Sequence, residues 1–111
     1  MYRTGLVRVN RVPAAHLIEI ERGRSYKIEY LSEYSGQPIS LTLPVHERVF
    51  VFDRFPPYFD GTLQEGYQLD ALLRRTKLDR TDYMGQLLVV GADLVGNVTV
   101  VPVSEPTSEN E

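Results

Sequence analysis

Two adjacent prolines, Pro56 and Pro57, divide this chain at the point where its hydrophobic period changes. Proline lacks a backbone N–H and fixes its own φ, so neither a regular helix nor a central strand can run through the pair. Upstream, apolar residues recur at every second position. Val7 and Val9 flank Arg8, Ile18 and Ile20 flank Glu19, and Tyr26, Ile28 and Tyr30 alternate with Lys27 and Glu29, the pattern of half-buried strands. Arg22-Gly23-Arg24 is the expected turn between the last two. Ile39, Leu41 and Leu43 predict a further strand, with Ser40 and Thr42 on its other face. Val49-Phe50-Val51-Phe52 is apolar on both faces, which predicts the most buried strand, or one covered by helices on its second face.

Downstream the period lengthens. Asp60-Gly61 is a turn pair, and Thr62 with Glu65 has the Thr-x-x-Glu spacing of a capping box, so a helix is predicted over Thr62 to Thr76 with Leu69, Leu72, Leu73 and Thr76 along one stripe. Asp79 and Thr81 are candidate caps for a second helix running to Val90. Its apolar side is Tyr83, Met84, Leu87 and Leu88, and Gly91 is its stop. Alternation returns between Asn97 and Val103, predicting a last strand. The expected fold class is α+β: one domain over residues 1–103, a mainly antiparallel sheet of about five to six strands with two short helices. Residues 104–111 are polar and acidic without a hydrophobic anchor, and a disordered tail is expected there.

Composition narrows the function classes. A chain of 111 residues can build one core, and with 42% hydrophobic and 24% charged residues it has the balance of a globular protein. There is no cysteine, which excludes disulfides, thiolate nucleophiles and cysteine-ligated metals. No apolar run approaches the roughly 20 residues that span a bilayer, and the first residues lack the pattern of a secretory leader, so a cytoplasmic protein is expected. A net charge of -3 offers no general attraction to nucleic acid.

The residues able to carry chemistry mostly have a sufficient local cause. Asp60 precedes a glycine in a turn, Glu65 closes the capping box, Asp82 lies in the first turn of a helix where the dipole favours an anion, and Asp93 lies in a loop; Asp53 alone has no evident structural task. The two histidines, His16 and His46, fall at predicted strand ends without the spacing of a metal pair. No Gly-Lys-Ser/Thr, Gly-x-Gly-x-x-Gly, His-Arg-Asp or Asp-Phe-Gly motif is present, so the parts that bind ATP and transfer phosphate are lacking. No enzyme, cofactor or metal site is expected. Arg74, Arg75, Lys77 and Arg80 form a basic cluster suited to a solvated helix end. Among the aromatics, Phe59 is expected under the first helix, whereas Tyr58 and Tyr67 carry polar tips that suit partial exposure.

The segment Phe55-Pro56-Pro57-Tyr58-Phe59-Asp60-Gly61, together with Pro38-Ile39-Ser40-Leu41-Thr42-Leu43-Pro44, Thr81-Asp82 and Gly91-Ala92-Asp93-Leu94-Val95-Gly96-Asn97-Val98, resembles in order and spacing the amino-terminal subdomain of HipA-type serine/threonine kinases. The kinase core is not in the sequence, and the whole is similar to the small separate HipS proteins of three-part HipBST toxin–antitoxin systems. Gln64 stands where such relatives often have proline in Leu-Pro-Glu-Gly. The resemblance implies an α/β module without phosphate-transfer residues that associates with a shortened kinase toxin, HipT, and counteracts it. A helix-turn-helix protein, HipB, would bind operator DNA, so this chain would reach DNA only through the complex. Two modes of inhibition fit: a side chain inserted into the kinase cleft, or docking elsewhere that holds the kinase inactive. The residues assigned to kinase contact are Tyr58, Asp60, Gln64, Glu65 and Tyr67. A non-inhibitory scaffold or co-repressor bridging HipT-like and HipB-like partners is the alternative.

Overall fold

A computed structural model describes residues 3–94 and 96–103; the acidic segment expected to be a disordered tail lies outside the described residues. The strands are β1 (Thr4–Val9), β2 (Val12–Glu21), β3 (Ser25–Tyr30), β4 (Val49–Phe52) and β5 (Val98–Pro102), and they form one antiparallel sheet in the order β4-β3-β2-β1-β5. The helices are α1 (Pro57–Asp60), α2 (Gly66–Thr76) and α3 (Tyr83–Val90), with short 3-10 turns at Val45–Glu47 and Gly91–Asp93. The α+β class and the antiparallel sheet expected from the sequence are both present.

In β1 and β3 the apolar alternation becomes the inner face of the sheet, whereas in β2 Leu17 and Glu19 are buried and not the expected Ile18 and Ile20. Val7, Val9, Leu17, Tyr26, Ile28, Val98 and Val100 are buried on the inner face, against Phe55, Phe59, Met84 and Leu87 from the segment after β4. Burying each such side chain stabilises the fold by about 1.5–3 kcal/mol. Tyr26 and Phe55 meet edge to face at 5.4 Å. The outer face carries Leu6 opposite His16 and Val101, Ile18 opposite Lys27, and Lys27 opposite Val51. His16 therefore sits within β2 rather than at a strand end.

Three further expectations are corrected. Residues Ile39, Leu41 and Leu43 form no strand: Ile39 and Leu43 are buried, Leu41 is 95% exposed, and the segment is irregular. The reason lies in Tyr30, whose hydroxyl accepts from the Ile39 N–H at 2.9 Å and donates to the Leu43 carbonyl at 2.5 Å. A side chain thereby satisfies backbone groups that a neighbouring strand would otherwise take. Arg48 ties the same connection from its other end, donating from Nη1 to the carbonyls of Leu31 and Tyr34 at 2.9 and 3.0 Å.

Secondly, β4 is the sheet edge and not its most buried strand. Phe50 and Phe52 turn inward while Val49 and Val51 remain 45% and 69% exposed. Finally, the first long helix begins at Gly66 and not at Thr62. Pro57 occupies the first position of α1, where its missing N–H costs nothing, and the one-turn helix it starts captures Thr62, whose hydroxyl donates to the Phe59 carbonyl at 2.7 Å. The capping box does not form; Glu65 precedes α2 without a side-chain cap.

Candidate functional site

The turn after the prolines sets up the site. Phe59 is fully buried and anchors α1 to the core, with Tyr58 edge-on to it at 5.1 Å. Asp60 ends α1 and is exposed. The chain then reaches Gly66, whose φ of +60° is a left-handed conformation with open space where a Cβ would stand. Glycine is needed there for backbone freedom and not for room. The next residue, Tyr67, opens α2 with its side chain 93% exposed. Leu72, about a turn and a half on, is the buried residue of the helix.

The five residues assigned to partner contact do not converge on one cavity. Asp60, Gln64 and Glu65 share a small cleft of about 210 Å³ with Arg80 and Tyr83. Tyr58 lies instead in an apolar groove of about 580 Å³ beside the edge strand, with Leu43, Phe50, Phe52 and Pro57. Tyr67 lines neither and stands in solvent.

Behind this segment a charged network fixes the start of α3. Asp82 caps the helix by accepting from the Gly85 N–H at 3.1 Å, and Arg3 reaches it from ahead of β1 at 2.9 Å. The same guanidinium donates to Glu19 of β2 at 2.6 and 2.9 Å, and Glu19, 4% exposed, accepts a third bond from the Gly23 N–H. Burial works to raise the Asp82 carboxyl, but the bonds from Arg3 and from the Gly85 N–H outweigh it and hold it below its ordinary value. The Arg3 guanidinium is raised above its own, chiefly by its bond to Glu19. Sequence reasoning offered Asp79 and Thr81 as the caps and placed Asp82 in the first helical turn; the cap is Asp82 itself, and the network was missed because its members lie far apart along the chain. A lone Glu inside an otherwise apolar alternation, Ile18-Glu19-Ile20, was the available signal.

The basic cluster is partly consumed. Arg80 donates to Asp70 at 2.7 Å, whereas Arg74, Arg75 and Lys77 stay exposed at the end of α2, with Lys77 in the left-handed conformation. Asp53 is exposed, and His46 lies exposed in the 3-10 turn after Pro44. Among the described residues no cluster of three or more His, Asp or Glu side chains is placed to hold a metal ion. No described helix is long and apolar enough to cross a membrane.

Fold and site together define a small antiparallel sheet domain that displays an aromatic side chain at the entry of a helix. The family model for the HipA N-terminal domain matches residues 5–101, and the chain belongs to that family. It is similar to the N-terminal domain of HipA toxin, with a TM-score of 0.75 and 25% identity over 95% of this chain and 96% of that one. It is also similar to an uncharacterized protein of Haemophilus influenzae, 29% identical over 80 residues, which is 72% of this chain and 76% of that protein. The HipS-like resemblance to HipA subdomain 1 is thus carried by both family and fold. The matched part of HipA is its non-catalytic N-terminal domain, and the chain is a HipA-related toxin–antitoxin component.

Proposed function

We propose that this chain is an antitoxin that binds and inhibits a HipT-like serine/threonine kinase toxin, in a three-part system whose HipB-like helix-turn-helix protein contacts DNA. The observation that carries the reading is Tyr67. An aromatic ring left 93% in water at a helix entry forgoes the burial its size invites, and such residues are favoured anchors of protein interfaces. Gly66 lets the chain turn sharply just before it, so the ring leads the helix into whatever it meets. Asp60 and Glu65, both exposed on the same approach, suit a cationic, phosphate-binding cleft. Inhibition by insertion of Tyr67 into the kinase cleft is the mode these features favour.

The test is to purify the protein with its neighbouring kinase and measure autophosphorylation with and without it. Stoichiometric inhibition is expected. Tyr67→Ala is expected to weaken association by about 30-fold, the effect of losing one strong interface anchor, while leaving the melting temperature unchanged. Kinase activity unaffected by a stoichiometric excess refutes the inhibitor, and full inhibition by Tyr67→Ala refutes the insertion mode.

A further inference from the structure

At the end of the sheet remote from the Arg3 network, β1 turns into β2 through Asn10 and Arg11. Both residues have positive φ, 53° and 70°, the backbone of a two-residue hairpin turn. Glycine is the lowest-cost residue at the second position of such a turn, and an arginine there carries a strain of about 1–2 kcal/mol. Retained strain of this kind asks what the side chain does.

Arg11 lines a cavity of about 640 Å³ together with Arg8, Asn10, Gly96, Asn97 and Thr99. The Asn10 N–H donates to the Asn97 carbonyl at 2.7 Å, which fixes the hairpin against the start of β5 and frames the cavity. None of the residues lining it is acidic, and neither Arg8 nor Arg11 has a carboxylate partner among the described residues. Arg8 and Thr99 are direct cross-strand partners, so their side chains share one face of the sheet. The Nε of Arg8 and the hydroxyl of Thr99 are both closed off from solvent and have no hydrogen-bond partner among the described residues. A buried polar group left so costs about 1–3 kcal/mol.

Arg8, Asn10, Arg11, Asn97 and Thr99 line one concavity without an acidic residue among them, and the group this set lacks is an acceptor oxygen with negative charge. We infer that this pocket binds a single oxyanion, a carboxylate or a phosphate group. Arg8 and Arg11 supply paired N–H donors of the fork geometry that suits two oxygens of one anion. The protein's net charge of -3 disfavours an extended polyanion, so the ligand is one discrete group presented to the hairpin. The pocket shares no lining residue with the Tyr58 to Tyr67 segment, and the inference stands apart from the antitoxin reading.

The test is an NMR titration of the isotope-labelled full chain with inorganic phosphate and, separately, with acetate, against sodium chloride at constant ionic strength. Saturable shifts of the Arg8 Nε–H and of the Asn10, Asn97 and Thr99 amides are expected. Tighter saturation by phosphate assigns a phosphoryl ligand, and saturation by acetate alone assigns a carboxylate. Arg11→Gln, on an exposed turn, is expected to weaken binding at least tenfold while the rest of the spectrum keeps its dispersion; Arg8→Gln is expected to abolish it. Shifts that match those of chloride overturn the proposal, as does an Arg11→Gln variant that binds phosphate and acetate as the parent does.

Discussion

Replacing Arg3 by alanine removes the hub of a three-way contact. Its guanidinium makes four hydrogen bonds, to Glu19 at 2.6 and 2.9 Å and to Asp82 at 2.9 and 3.1 Å. Breaking a fully buried ion pair from one side costs about 3–5 kcal/mol, because the remaining charge is left without a partner. Glu19 meets that condition, since after the change only the Gly23 N–H still donates to it. Asp82 is better placed, with its bond from the Gly85 N–H retained and solvent closer at hand. Arg3 is itself partly exposed, so water offsets part of the loss, and about 2–3 kcal/mol is the expected destabilisation at pH 7. That corresponds to a fall in melting temperature of roughly 10–20 °C for a domain of this size. Urea unfolding at a series of pH values gives a second reading. The Asp82 carboxyl is depressed in the folded protein, so the stability it contributes is complete above its ordinary value of 3.8 and is lost as pH falls through the lower folded value. In Arg3→Ala the main cause of that depression is gone, and the gap to the parent should narrow as the pH drops through the carboxylate range. An Arg3→Ala variant within about 0.5 kcal/mol of the parent at pH 7, or a gap that stays constant into acid, refutes the argument.

Further changes test the frame around the site. Tyr30→Phe deletes the hydroxyl that holds Ile39 and Leu43, leaving the buried Ile39 N–H unpartnered. It should cost about 1–3 kcal/mol by denaturant unfolding, with faster hydrogen exchange through residues 39–43. Lys77→Gly places glycine at the left-handed end of α2 and should stabilise the domain by about 0.5–1 kcal/mol; a lower melting temperature would show that the lysine stem contributes packing there.

How legible these elements were depended on whether the forces that make them are local. Strands β1 and β3 and helix α3 announce themselves because their apolar spacing matches the face that ends up buried, and Gly91 stops α3 where the sequence predicts. Gly91 is held to the backbone of Val100 so closely that a Cβ would collide with it, a constraint no local pattern carries. The Ile39 to Leu43 alternation misled because a tyrosine nine residues away supplies what a strand partner would. The apolar run Val49-Phe50-Val51-Phe52 signals burial on both sides, yet position at a sheet edge is a property of the topology, which composition does not encode. At the site, the Thr62/Glu65 spacing was genuine but lost to the turn started by Pro57, which moved the helix entry to Gly66. The residues assigned to partner contact came as one segment from the family resemblance; their division between a groove, a cleft and open solvent was not legible, because it depends on where α1 and α2 dock.

The pairing of β1 with β5 joins the two extremes of the described chain: Gly5 lies opposite Pro102, and the Val103 N–H donates to the Thr4 carbonyl at 3.0 Å. During synthesis, β1 can find β2 at once but must wait for nearly the whole domain before its other flank is covered. Until then Val7 and Val9 have no neighbour from β5. The nascent domain therefore passes through a stage in which β1, next to last in the finished sheet, is an open edge, and the closing of that edge waits on β5.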